Sequence, residues 1–159
     1  MTLQPAIKNL LLVYHSKTGN TERLAQAVIR GASHPDITHT ELRVRRAQDA
    51  GPEDLLWAHG LLLGTPENFG YMSGALKDFM DRTFYEVEGK LQPLPYAVFI
   101  SCENDGRGAV SAISRIAGGY PWVQVQEPVI IRGEIKPEHL AQCEELGLSL
   151  GMGLDAGIY

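Results

Sequence analysis

Four short apolar runs without a polar interruption recur along the chain, and segments of helical spacing separate them. They are Leu10 to Tyr14, Leu61 to Leu63, Tyr96 to Ile100 and Val129 to Ile131. A strand reads this way when both of its faces are covered, as in the interior of a parallel sheet. The segment Ile37 to Val44 behaves differently. There Thr38, Thr40, Leu42 and Val44 alternate with Ile37, His39, Glu41 and Arg43, the pattern of a half-covered edge strand. Arg43, Arg45 and Arg46 then mark the solvent-facing end of that edge.

Between the runs, Leu24, Ala27, Val28 and Gly31 share one helical face, and Leu76, Phe79, Met80 and Thr83 share another. Ala109, Ile113, Ile116 and Ala117 form a third stripe. A fourth, Leu140, Cys143, Gly147, Leu150 and Leu154, follows Pro137, which suits a first helical position. A short helix from Pro52 to Trp57 links the edge strand to Leu61. Five strands alternating with helices specify an α/β three-layer sandwich. Its five-stranded parallel sheet has helices on both faces and right-handed crossovers. Placing the alternating strand at an edge and the first strand inside gives the order 2-1-3-4-5. Ligands of such a sheet sit beyond the carboxyl ends of its strands, so chemistry is expected in the loops after Tyr14, Gly64 and Ser101.

A chain of 159 residues is long enough for one self-sufficient domain, taken here as residues 1–159. Its net charge of −5, with no basic face, excludes a nucleic-acid backbone as partner. No apolar stretch is long enough to span a bilayer. Met1 to Lys8 lacks the features of a secretory leader, and two distant cysteines suit a reducing compartment, so the expected location is the cytoplasm.

The first loop, His15-Ser16-Lys17-Thr18-Gly19-Asn20-Thr21, joins a central strand to a helix. Hydroxyl and amide side chains, a glycine that lets the backbone curl, and free helix N-terminal amides together suit a dianionic phosphate. A helix cap needs only one such residue; this loop has Ser16, Thr18, Asn20 and Thr21. Neither a Walker spacing nor a dinucleotide fingerprint is present; Gly151, Gly153 and Ala156 match the latter but follow a helix. In the second loop, Thr65 to Gly74, an irregular backbone held by proline and glycines presents Phe69 and Tyr71 as a wall for a planar ring, with Met72 directed to the core. The third loop, Ser101 to Gly108, offers polar groups for the donor and acceptor edge of a pyrimidine-like ring. Within it Cys102 reads as a buried small hydrophobe. His34, His39, His59 and His139 lack metal-ligand spacing, and His15 borders the first loop in a structural role.

Tyr14 to Glu22 resembles the flavin mononucleotide (FMN) phosphate signature of the flavodoxin-like family. Gly64 to Met72 is similar to the G-T-P-x-x-F-G-x-M loop of its NAD(P)H:quinone reductase branch, the group related to the tryptophan-repressor-binding protein. The likeness continues through Leu76 to Thr83. Two features depart from that branch: the later strands lack long excursions, and Cys102 to Gly108 replaces a loop bearing histidine and glutamine. The resemblance implies an FMN held by Ser16, Lys17, Thr18, Gly19, Asn20 and Thr21, by Pro66, Glu67, Asn68, Phe69 and Gly70, and by Ser101, Cys102, Glu103, Asn104, Asp105 and Gly106.

It also implies NAD(P)H as electron donor and a ping-pong transfer of hydride through the flavin to a quinone or similar small-molecule acceptor. No side chain then serves as nucleophile. A redox protein as partner and a homodimer are compatible with it. Tyr71, Tyr120 and Trp122 are candidate pocket walls, with Tyr120 and Trp122 equally suited to the core. The competing reading is a one-electron carrier. Such carriers tend to be more acidic and to cover the flavin with an aromatic residue in the third loop, where this chain has none. A flavin-free receiver module needs an acidic residue at the end of the first strand, where Tyr14 and His15 stand.

Overall fold

The structure, a computed structural model, describes residues 5–159. The first four residues of the segment expected to lack a leader, Met1 to Lys8, therefore lie outside the described residues.

The chain runs β1 (Lys8–Tyr14), α1 (Asn20–Ala32), β2 (Thr40–Arg46), α2 (Pro52–Trp57), β3 (Gly60–Asn68), β4 (Tyr71–Met72), α3 (Gly74–Val87), β5 (Leu94–Cys102), α4 (Arg107–Ala117), β6 (Trp122–Gln124), β7 (Val129–Arg132) and α5 (Pro137–Asp155). The main sheet is parallel in the order β2-β1-β3-β5, with β6 and then β7 along the outer edge of β5. Counting β6 and β7 as one interrupted strand gives the expected 2-1-3-4-5.

Alternate residues of each apolar run feed opposite layers. Leu11 and Val13 pack with Leu61, Leu63, Leu76, Phe79 and Ile113 on the face covered by α2, α3 and α4. Leu10, Leu12 and Tyr14 pack with Leu24, Val28, Leu146 and Leu150 under α1 and α5. The expected helical stripes are the buried ones, except that Ile116 and Leu140 are only half-buried. Helices α1 and α5 approach so closely that a Cβ on Gly147 would lie 2.0 Å from the Val28 carbonyl oxygen.

Two expectations need correction, and one open reading is decided. The edge strand begins at Thr40, not Ile37. The amides of Thr38 and His39 donate instead to the Asp155 carboxylate at 3.2 and 2.6 Å, so the end of α5 takes them out of the ladder. The last strand is split, since the ladder is interrupted after the Val125 amide donates to the Tyr96 carbonyl (3.0 Å) and Pro128 has no N–H to give it. Of the two readings open for Tyr120 and Trp122, the core one holds. Both are buried, stacked on each other with ring centroids 4.1 Å apart, and the Tyr120 hydroxyl bonds Thr83 in the core. Among the described residues no helix is long and apolar enough to cross a membrane.

Candidate functional site

Because β1, β3 and β5 are adjacent and parallel, their carboxyl ends bring the three loops to one edge. The first loop turns directly from β1 into α1. Its helix cap is Gly19, left-handed at φ 104°, with no side chain capping the turn. The Ser16 hydroxyl accepts from the amides of Gly19 (3.2 Å) and Glu22 (3.1 Å), which curls the loop around itself. The amides of Lys17, Thr18, Asn20 and Thr21 find no acceptor among the described residues. Four unpaired donors therefore stand at the positive end of a thirteen-residue helix, an arrangement that favours negative charge.

Side chains of this loop divide between solvent and core. Lys17, Thr18 and Asn20 are exposed. Thr21 is turned inward, fully buried, with its hydroxyl 2.8 Å from that of Ser101. It can offer an anion its amide, while its side chain ties the first loop to the third. His15 is half-buried. Burial, then the charges of Arg46 and Lys17, lowers its pKa from 6.5, so the ring is neutral near pH 7. Its Nδ1 is buried without a partner. Beneath it, burial and the Glu22 carboxylate push the Tyr14 hydroxyl up to about 12.

The second loop is more regular than its glycines and proline suggest. Strand β3 continues through Pro66 to Asn68, then pairs antiparallel with β4: Glu67 faces Met72 and Asn68 faces Tyr71. The two-residue turn is Phe69 (φ 52°) and Gly70 (φ 71°), both left-handed, which matches the twist of the flanking strands. A phenylalanine rarely adopts that conformation. Here its ring stands fully exposed at the hairpin tip. Tyr71 is partly exposed, and Met72 is buried, as its expected core role requires.

Glu67 has a role no local pattern announces. Its Oε2 accepts from the amides of Gly108 (3.1 Å) and Ala109 (3.3 Å), so this carboxylate caps α4 from 41 residues away. The hairpin tip rests directly on that helix: a Cβ on Gly108 would lie 1.9 Å from the Gly70 carbonyl oxygen.

In the third loop Glu103, Asn104 and Asp105 are exposed, while Ser101, Cys102 and Gly106 are buried. Asp105 accepts from the Arg107 amide at 3.1 Å, and Arg132 of β7 donates to the Glu103 carbonyl at 3.1 Å, pinning the loop from outside. Burial, reinforced by Glu67, raises the Cys102 pKa. Its Sγ lies 3.4 Å from the Asn104 carbonyl oxygen, a packed thiol rather than a reactive one.

All seventeen residues singled out from the sequence thus fall on these three adjoining loops. Sequence reasoning missed the links that hold the loops together: Thr21 to Ser101, Glu67 to the start of α4, and Arg132 to Glu103. The only local hint was the glycine at 108. Among the described residues, no cluster of His, Cys, Asp and Glu could hold a metal ion.

The family model described as Flavodoxin matches residues 12–115, which include all three loops. A flavodoxin of Aquifex aeolicus (strain VF5) is 34% identical over 99 residues, covering 62% of this chain and 52% of that protein. The chain thus spans about half the length of that relative. The NAD(P)H dehydrogenase (quinone) of Syntrophus aciditrophicus (strain SB) is 28% identical over 168 residues, covering 88% of this chain and 82% of its own. Among solved structures, a flavodoxin described as a WrbA-like protein, from Agrobacterium tumefaciens, superposes with a TM-score of 0.75 at 21% identity. That match covers 94% of this chain and 98% of its own. With more than half of its residues inside the family match and the expected strand order in place, the chain belongs to the flavodoxin family.

Proposed function

We propose that residues 1–159 act as a single FMN-binding domain that oxidises NAD(P)H and reduces a quinone or a similar small-molecule acceptor. The observation carrying this reading is the cradle of unpaired amides at Lys17, Thr18, Asn20 and Thr21, set beside an exposed aromatic hairpin tip. Membership of the flavodoxin family implies a flavin, and relatives named NAD(P)H dehydrogenase (quinone) suggest the reaction.

The residues fit FMN in kind. A phosphate would take the four amides and the hydroxyl of Thr18, with Lys17 as counter-charge. Gly19 has nothing within 4 Å of where a Cβ would stand, which leaves its side of the cradle open. Pro66 to Gly70 would wall the ring with backbone and the Phe69 face. The polar atoms of Ser101 to Gly106 would read the ring's pyrimidine edge. When bound, the flavin supplies reversible uptake of a hydride, so that NAD(P)H becomes NAD(P)+ and, with a proton from water, a quinone becomes a hydroquinone.

The protein's own contribution is position and access. No aromatic side chain stands between Cys102 and Gly108. One face of the ring would therefore stay open to a donor and then to an acceptor in turn. A homodimer and cytoplasmic residence remain part of this proposal.

The test is a titration followed by a turnover assay. FMN should quench on binding and co-purify on a desalting column. The loaded protein should then oxidise NAD(P)H only when a soluble quinone is present. FMN binding without turnover would instead identify a one-electron carrier, which the 34% identity to a flavodoxin keeps as the second reading.

A further inference from the structure

From the proposed site, α4 leads away along the flank of the hairpin. Arg107, Ser111 and Arg115 are spaced four residues apart on it, so they form one row on the helix surface. All three are exposed. The helix contains no acidic residue, in a chain where acids outnumber bases nineteen to fourteen. Neither arginine forms an ion pair among the described residues, whereas Arg43, Arg45, Arg46 and Arg82 all do.

Ser111 and Arg115 of this row line a cleft of about 350 Å³, together with Gly70, Tyr71, Gly108, Ala112 and Ile116, while Arg107 lies one turn outside that lining. Gly108 and Gly70, whose backbones approach closely beside the hairpin tip, both contribute to that lining. Arg115 and the partly exposed Tyr71 are both part of it. An uncompensated guanidinium beside a hydroxyl and a flat aromatic face suits a phosphorylated purine nucleoside. Arginine grips phosphate through its planar fork, and an aromatic ring stacks on the base.

We propose that this cleft receives the adenosine end of the electron donor and that Arg115 binds its 2′-phosphate, which makes the donor NADPH rather than NADH. The inference rests on the reductase reading given above. Tyr71 stacks on the adenine, Ser111 donates to the same phosphate, and Arg107 lies along the pyrophosphate. Arg107 and Arg115 are about 12 Å apart along the helix, from eight residues at the α-helical rise. The pyrophosphate and the 2′-phosphate flank a single ribose, so the two long arginine side chains lean towards each other to grip both.

The test uses FMN-loaded protein, so that the phosphate cradle is already filled, and two probes, 2′,5′-ADP and 5′-AMP, in calorimetric titrations. Wild type should prefer 2′,5′-ADP by on the order of tenfold, the weight of one charge-assisted phosphate contact. Arg115→Ala should abolish the preference, and Arg115→Lys should keep part of it. Both variants should hold FMN as tightly as wild type, which shows that they are folded. In stopped-flow mixing, NADPH should bleach the flavin absorbance of wild type at lower concentration than NADH, and R115A should remove the difference.

Equal affinity for the two probes, or an undiminished preference in R115A, overturns the inference. If both dinucleotides also bleach the flavin alike, the reductase reading survives that result. Should neither dinucleotide bleach it, the reductase reading fails and this inference fails with it.

Discussion

Replacing Gly108 with alanine sets two effects of opposite sign against each other. Gly108 is the second residue of α4, and its backbone is helical. Alanine is the better helix former by up to ~1 kcal/mol, so propensity alone predicts a more stable protein. Packing predicts the reverse. The added Cβ would meet Gly70 backbone atoms at 1.9 Å (O), 2.6 Å (C) and 3.0 Å (Cα). No side-chain rotation relieves a clash with backbone. To restore an ordinary C···O contact of ~3.3 Å, the hairpin tip must retreat from its 1.9 Å position by more than the length of a hydrogen bond's tolerance.

That retreat draws Glu67 away from the Gly108 and Ala109 amides, now held at 3.1 and 3.3 Å. Overpacking of this kind costs about 1–3 kcal/mol. A lost hydrogen bond to a charged group costs about 1.5–3 kcal/mol. One movement produces both, so they do not add. After the propensity gain is subtracted, a net loss of roughly 2 kcal/mol is expected for Gly108→Ala.

Gly74→Ala is the control. Gly74 opens α3 with nothing within 4 Å of its would-be Cβ, so only the propensity term acts and stability should hold or rise. Urea unfolding of both variants measures this, with the slope checked for constancy. FMN titration should show weaker binding for G108A alone, because Asn68 to Gly70 have moved outward. A G108A protein as stable as wild type, with unchanged FMN affinity, would refute the contact and the role given to it.

Phe69→Gly should relieve the left-handed strain at φ 52° and raise stability by about 1 kcal/mol, yet lower FMN affinity because the exposed ring is gone. Unfolding and titration curves that move in the same direction would count against this. Thr21→Val leaves the buried Ser101 hydroxyl without its partner and should destabilise by about 1–3 kcal/mol; adding Ser101→Ala should restore part of that in a double-mutant cycle. Acid should weaken the fold in a defined window. Burial lowers the pKa of His15 and His59 from 6.5, so the unfolded chain takes up protons there that the folded one refuses. Stability should be complete above that value and fall as the pH drops towards the folded pKa values. Bound FMN phosphate should raise the His15 value, seen by NMR titration of its ring, and lessen the loss. Cys102 and Cys143, both raised by burial and the latter to about 12, should resist iodoacetamide at neutral pH until the protein is unfolded.

Strand centres could be read from the chain because burial on both faces removes every polar residue from them, and Leu10 to Tyr14 shows this without any knowledge of partners. Strand ends could not. Asp155 takes the amides that would have begun β2 at Thr38, and it lies 116 residues from His39. The row of unpaired amides in the first loop was readable for a local reason: strand, glycine turn and helix N-terminus follow one another within seven residues, and helix geometry alone dictates which amides lack a partner. The second and third loops are defined by each other. Nothing near Glu67 in sequence says that it caps a helix 41 residues on, and nothing near Thr21 says that it faces Ser101.

Those cross-links also constrain how the site works. Thr21 joins the first loop to the third, and Glu67 joins the second loop to the helix that leaves the third. A ligand seated on the first loop therefore acts on an edge already braced by its neighbours, and little ordering entropy remains to be lost on binding. The hairpin tip is the exception. Phe69 is fully exposed, makes its left-handed turn against steric preference, and is held through the short β3–β4 pairing, Gly70 on Gly108 and Glu67 on α4 rather than by contacts of its own ring. If any part of the edge adjusts when a planar ring arrives, it is this tip, because it alone has strain to release and solvent to move into.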